Sequence, residues 1–390
     1  MTAGRASLAS LVSLGERSVR ALVIDGPCRM RVAEDTDPAV DDGCFRVDTV
    51  VSGVSIGTEM TWFRGTNPAL HSRWDAELGL FRRDGAAAGW PVRRFGYMQV
   101  GRVIASRFAP LAEGDRVAMA YGHRTGHTAV GLTERAVPLP EDLDPRLGVL
   151  VAHLGPICAN GLLHAAHDAA GSAVVDLGDG VRGREVVVVG AGLVGLLTGL
   201  FARASGAAEV LVVDASAARL AAAERLGLVP LAQPAGSVDL DEASLAVAEQ
   251  VKQRYRHGPA DRGASVVFQC RGRISALATA LRCARPQGVI IDLAFYDGGA
   301  EGLYLGHEFH HNGLALRCAQ IGRVPRGLAP AWDRERLSRE TIELLRSYGD
   351  LVGKHLLTDD LPFERAPWLF TEIAARRWTP LGAVLHTAPP

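Results

Sequence analysis

The chain has 390 residues, room for two domains of ordinary size, and 48% of them are hydrophobic, as in globular proteins with a full core. Its 42 basic and 43 acidic residues leave a net charge of −1, which gives no electrostatic footprint for a nucleic-acid or membrane-surface partner. No apolar run approaches the ~18 residues of a membrane span. The six cysteines, Cys28, Cys44, Cys158, Cys270, Cys283 and Cys318, form no CxxC pair and no cluster. That scatter suits reduced, mostly buried thiols in a cytoplasmic protein and argues against a structural zinc site.

Residues 1–19 are mildly apolar but broken by serine, and read as a frayed or partly helical extension rather than a signal peptide. Strand-like alternation or β-branched runs follow at 21–24, 29–33, 44–52, 99–105 and 116–120, with glycine and proline between them. Residues 63–94, rich in Trp, Arg, Gly and Ala, read as a long loop or a short helical excursion; a loop of that length in a compact domain is often functional. From residue 147 the spacing turns helical. Residues 150–167, 219–226, 245–255 and 274–283 predict helices, 265–269 and 288–293 predict strands, and 232–241 dips into loop. This alternation predicts a doubly wound parallel sheet, an α/β unit. A strand-like segment at 314–320, a helix at 335–348 and an α/β tail complete the chain.

Residues 184–214 read REVVVVGAGLVGLLTGLFARASGAAEVLVVD. A short β-branched run leads into Gly190, Gly192 and Gly195, spaced GxGxxG; a helical segment follows, and a second β run ends in Asp214. In that strand–turn–helix setting the spacing reads as a dinucleotide fingerprint. Gly190 allows the tight turn, Gly192 lets the backbone approach a pyrophosphate, and Gly195 lets the helix pack close to the strand. The helix start at Leu193 and Val194 offers N–H groups and a positive dipole end to phosphate. Asp214 can accept hydrogen bonds from both ribose hydroxyls and repels a 2′-phosphate, which favours NAD over NADP. Arg219 reads either as a secondary nucleotide contact or as a solvated helix charge.

A β-rich unit, a mid-chain nucleotide unit and a returning tail occur together with several further segments. These are S-G-V-S-I-G-T-E at 52–59, F-G-Y-M-Q-V-G-R-V at 95–103, L-A-E-G-D-R-V at 111–117 and L-L-T-D-D-L-P-F-E-R-A at 356–366. With these the chain resembles the medium-chain dehydrogenase/reductase superfamily of alcohol and polyol dehydrogenases. The resemblance implies a GroES-like catalytic domain over 1–158, a Rossmann domain over 159–316, and a segment 317–390 returning to the first. It also implies a homodimer joined through the Rossmann sheet, by an edge near 288–294 and the segment 304–316, a cofactor contact at Cys270 and Arg271, and Leu293 and Ala294 beside the nicotinamide. The 52–59 segment and the stretch G-H-E-F-H-H-N-G-L-A-L-R-C-A-Q at 306–320 look like the bacteriochlorophyllide hydroxyethyl dehydrogenase branch.

The departures from that pattern bear on chemistry. Ser55 or Ile56 falls at the family's first zinc ligand, Tyr97 at its histidine, Met98 at the adjacent acid, and Pro156 near the third ligand. Such a set makes no zinc site, so no metal is expected. His123 and His127 stand four apart on a glycine-rich segment with no third ligand. Without a metal, hydrogen bonds and a proton relay must serve hydride transfer. The candidates are Tyr97 at the substrate oxygen or as a packed core aromatic, Thr58 as relay hydroxyl or as a strand or turn hydroxyl, Ser55 at the first ligand position, Glu59 as orienting group, base or solvated charge, and His153 as base or helix-end histidine. Trp62, Phe63, Trp90 and Phe95 supply apolar surface for a large ligand or belong to the core. The leading reading is a zinc-independent, NAD(H)-dependent oxidoreductase acting on a secondary alcohol or ketone of a bulky, biosynthetic small molecule. Two others fit the same residues: tightly held NAD used transiently for a net non-redox elimination, cyclisation or epimerisation, and a non-catalytic NAD(P)(H) sensor.

Overall fold

The computed structural model describes residues 14–83, 87–234 and 240–387. The chain divides into two compact units, Met1–His153 with Leu357–Pro390, and Leu154–Leu356.

In the first unit, strand Cys44–Val54 is the hub. Gln99–Ser106 pairs along one side of it; Gly126–Val130 and Ala383–His386 share the other, opposite its first and second halves. Side chains on a strand alternate between faces, so this one strand feeds two cores. Phe45 and Val47 pack with Val103, Leu111, Val117 and Met119, while Val54 packs with Leu22, Ile24, Phe63, Phe95, Phe363 and Phe370. Burying side chains of this size contributes roughly 1.5–3 kcal/mol each. Arg17–Gly26 and Arg29–Asp37 form an antiparallel ladder, so residues 17–19, expected in the N-terminal extension, are already strand; residues 1–13 of that extension lie outside the described residues.

Two features of this unit differ from the expected pattern. Residues 56–64 form a helix, Ile56–Arg64, closed by Gly65 in the left-handed conformation (φ 81°). Residues 63–94 are not one loop: a 3-10 turn at Pro68–Leu70 leads into a small hairpin of Arg73–Asp75 and Leu80–Arg82. Strands of three residues are too short for their alternation to be read against a polar background.

In the second unit the six-stranded parallel sheet has the order Val229–Ala232, Glu209–Asp214, Glu185–Val189, Ala264–Gln269, Ala284–Asp292, Ala315–Cys318. Sequence-adjacent strands run outward in both directions from Glu185–Val189 and its neighbour Ala264–Gln269, which creates the switch point where such sheets bind ligands. The three central strands are almost wholly buried, as parallel strands covered on both faces must be. Residues 288–294 are not the sheet edge: Ala284–Asp292 is paired on both sides, and Ala315–Cys318 is the edge strand. The unit also runs past residue 316. Helix Arg334–His355 buries Leu337, Thr341, Leu344, Leu345 and Val352 and packs on helix Leu154–Ala170. The return to the first unit begins at Leu357. No helix among the described residues is long and apolar enough to cross a membrane.

Candidate active site

In the first unit the site grows from the start of helix Ile56–Arg64. Ser55 sits at its N-cap, yet its hydroxyl makes no cap bond. The Glu59 carboxylate turns back on the cap residue itself: Oε1 accepts the Ser55 amide at 2.9 Å. An acid in the first turn also faces the positive end of the helix dipole. The Ser55 hydroxyl meets the Tyr97 phenol, with which it is hydrogen-bonded. The Tyr97 ring lies 4.4 Å, centroid to centroid, from the His153 imidazole. Tyr97 and His153 are half-buried, whereas Ser55 is buried. Three of the expected site residues thus come together as a hydroxyl, a phenol and an imidazole.

Behind them lies a buried chain that the sequence did not single out. Glu59 is 1% exposed, so it is no solvated charge. Its Oε2 is 2.8 Å from His123 Nε2, and His123 Nδ1 is 2.7 Å from Ser52 Oγ. The Gln99 amide donates to Ser52 Oγ at 3.2 Å, and Gln99 Oε1 accepts the Tyr121 amide at 3.1 Å. One consistent direction of donation runs from Gln99 through Ser52 to His123 and on to Glu59, so each group is satisfied. Gly96, at φ 87°, lies flat against the His123 ring; a Cβ there would come within 2.6 Å of Nε2. His123 is therefore a fixed histidine in a hydrogen-bonded chain.

Thr58 is half-buried on the same helix, and its carbonyl accepts from Thr61 Oγ1 at 2.7 Å. The expected aromatic wall separates. Phe63 and Phe95 are core side chains packed with Phe370, at 5.6 and 6.1 Å between ring centroids, so they present no surface to a ligand. Trp62 is half-buried and Trp90 exposed. Among the described residues no three His, Cys, Asp or Glu side chains converge as a metal-ligand group.

In the second unit each glycine of the turn shows its own constraint. Gly190 has φ 104°, and a Cβ on Gly195 would lie 1.8 Å from the Gly190 carbonyl oxygen. A Cβ on Gly192 would meet nothing within 4 Å, so that stretch of backbone is open to a ligand. The amides of Leu193, Val194 and Gly195 precede the first helical bond, Leu196 N–H to Gly192 carbonyl at 2.9 Å. Such amides lack an intrahelical acceptor, and a helix start of this kind can bind phosphate. Asp214 is buried; its oxygens accept the Ala191 and Ser216 amides, both at 2.9 Å, and so fix the turn. Arg219 is half-buried in helix Ala217–Arg225. Cys270 is half-buried and Arg271 exposed at the end of strand Ala264–Gln269. Leu293 and Ala294, half-buried, follow the next strand; Leu293 packs against Gly161.

The structure adds Asp292 at that strand end. Its oxygens accept the Ala294 amide and the Tyr296 hydroxyl at 3.0 Å, and Gln269 donates to the same hydroxyl at 2.9 Å. Burial pushes its carboxyl above the usual carboxylate range.

Comparison with known proteins places this geometry. The family model for zinc-binding dehydrogenases matches residues 194–329. D-guloside 3-dehydrogenase of Escherichia coli is 27% identical over 357 residues, covering 90% of this chain and 94% of that protein. A probable D-xylulose reductase A of Aspergillus clavatus is 30% identical over 193 residues, half of this chain and 48% of that protein. A zinc-binding dehydrogenase of Sinorhizobium meliloti, solved bound to NADP, superposes with a TM-score of 0.69 at 18% identity, over 95% of this chain and 99% of that one.

The chain is similar to the medium-chain dehydrogenase/reductase superfamily and carries a match to its zinc-binding dehydrogenase model. Its first unit has the GroES-like fold and its second the Rossmann fold. It is an alcohol oxidoreductase of the dehydrogenase/reductase type acting on a small molecule, with the fold of solved neighbours that bind NAD(P).

Proposed function

We propose that this dehydrogenase uses NAD(H) without zinc, taking a hydride from a secondary carbinol, or returning it to the corresponding ketone, of a hydroxyl-rich, sugar-like or polyol substrate. The observation that carries the reading is the Ser55–Tyr97–His153 constellation, of which Ser55 and Tyr97 fall where the resemblance would put metal ligands. A hydroxyl, a phenol and an imidazole do not fit zinc, whose sites take thiolate, imidazole and carboxylate together. They do fit proton handling. The phenol can hold the substrate oxygen by a hydrogen bond, Ser55 and Thr58 can pass its proton onward, and the His153 imidazole beside the phenol can accept it. Glu59, bound to the Ser55 amide and to His123, is a positioning residue here.

The nicotinamide ring supplies the hydride acceptor or donor when the dinucleotide is bound. Gly192 and the helix start through Leu193, Val194 and Gly195 would hold the pyrophosphate. Asp214 keeps one acceptor position on each oxygen after its two backbone bonds, enough for a ribose diol and unfavourable to a 2′-phosphate. Arg219, Cys270, Arg271, Leu293 and Ala294 are proposed nucleotide contacts, and Trp62 and Trp90 the remaining aromatic candidates for substrate.

The substrate class rests on the guloside and xylulose names of the relatives. NAD+ reduction assayed over a panel of polyols, aldonates and glycosides tests it: turnover on at least one hydroxyl-rich alcohol is expected, and activity confined to simple apolar alcohols contradicts it. We also propose a homodimer through edge strand Ala315–Cys318, because an unpaired edge is a liability that pairing removes. Light scattering should give twice the chain mass; a monomer at micromolar concentration refutes it.

A further inference from the structure

The first unit also contains a cavity of about 300 Å³, none of whose walls belongs to the site above. Two of its walls are buried cations or imidazoles with an unanswered polar atom. Arg124, 6% exposed, donates through Nη2 to the Thr36 carbonyl and pairs with Asp35, both at 3.2 Å, yet its Nε has no partner among the described residues. His127, also 6% exposed, is 2.6 Å from Glu134 through Nε2, and its Nδ1 has none either. Its ring is fixed by stacking on Tyr121 at 4.8 Å. Buried polar atoms are almost always hydrogen-bonded. Both residues line the one cavity, and a polar guest there is the partner the site lacks.

We propose that this cavity binds a small multivalent oxyanion of the phosphate type, as the free ion or as a phosphate ester. Charge selects the class. The two acids on its walls are already engaged: Asp35 Oδ1 accepts the Thr36 amide at 2.9 Å, and Glu134 Oε1 accepts the Val130 amide at 3.1 Å. Arg93 and Arg94 line the same cavity with exposed side chains, so three guanidiniums face two occupied carboxylates. Their backbone is held on either side by Val92, hydrogen-bonded to Ile24, and by buried Phe95. Guanidinium groups match oxyanion geometry. A phosphate carries both P–O⁻ and P–OH, and so can accept from guanidinium groups and either donate to or accept from an imidazole.

The test is calorimetric titration of the full chain with sodium phosphate in a zwitterionic buffer, with and without saturating NADH to fill the glycine turn. One saturable site is expected under both conditions. Arg93→Ala/Arg94→Ala, which removes two exposed side chains and spares the fold, should weaken it about tenfold or more, the size of a lost charge-assisted hydrogen bond. Arg124→Lys, which keeps the charge but loses the fork, should weaken it similarly. Absence of saturable binding, unchanged affinity in the Arg93/Arg94 variant, or heat that disappears when NADH is present would each overturn the proposal.

Discussion

Tyr97→Phe isolates the chemistry from the fold. The substitution removes one oxygen and leaves the ring that packs on His153 at 4.4 Å. Its structural cost includes the bond to the Ser55 hydroxyl, about 0.5–1.5 kcal/mol. Its kinetic cost is that of one group in proton transfer, ~10²–10⁴-fold in turnover, or about 3–5 kcal/mol in barrier height. The nucleotide turn lies in the other unit and is untouched, so NADH affinity should stay within about twofold, well inside one RT-scale perturbation. Initial rates at saturating substrate, NADH titration by fluorescence and thermal unfolding on one preparation separate the three quantities. A turnover equal to wild type with substrate saturating would refute the role of the phenol and move the proton handling to His153. A parallel loss of turnover and NADH affinity would equally refute it, by showing a general defect.

Asp214→Ser should weaken NADH binding and narrow the gap to NADPH, because the ribose acceptor and the brace on the Ala191 amide are lost together; calorimetry showing a wild-type preference for NADPH contradicts this. Gly195→Ala places a methyl 1.8 Å from the Gly190 carbonyl oxygen, so the turn must shift; a stability loss of ~1–3 kcal/mol and weakened NADH binding are expected in thermal unfolding and titration, and a neutral substitution refutes the close packing. His164 is held neutral by burial, with its pKa pushed from 6.5 down to about 4. Between those values the unfolded chain binds the extra proton, so stability is lost as the pH falls through that window, by at most about 3 kcal/mol. Chemical denaturation of His164→Leu should therefore show a shallower acid loss than wild type; identical pH profiles refute it.

The Rossmann turn was legible because its constraints act on single residues at fixed spacing: a positive φ, an open approach and a close contact each demand glycine, and the β-branched runs on either side fix the context. The doubly wound sheet followed from apolar runs long enough to show their period. The helix Ile56–Arg64 was not legible, since its nine residues mix Gly, Thr and Trp without a clear apolar face. The Glu59–His123–Ser52–Gln99 chain joins residues up to 71 positions apart, and no local pattern marks such a partnership. His123 stood out only as half of a spaced pair with His127, whereas the fold sends the two to different places, one to Glu59 and one to Glu134. Phe63 and Phe95 misled for a related reason: an aromatic side chain reads the same whether it faces a core or a ligand, and only the arrival of Phe370 from the returning tail decides it. The unit boundary at Leu357 rather than 317 reflects the amphipathic face of helix Arg334–His355, which is buried within the second unit.

The central claim is hydride transfer to NAD+ without zinc, and elemental analysis combined with turnover on one sample tests it most directly. The protein should reduce NAD+ with a hydroxyl-rich alcohol while containing far less than one zinc per chain, and chelator treatment should leave the rate unchanged. About one zinc per chain, removed by chelator with loss of activity and restored with it, would contradict the account.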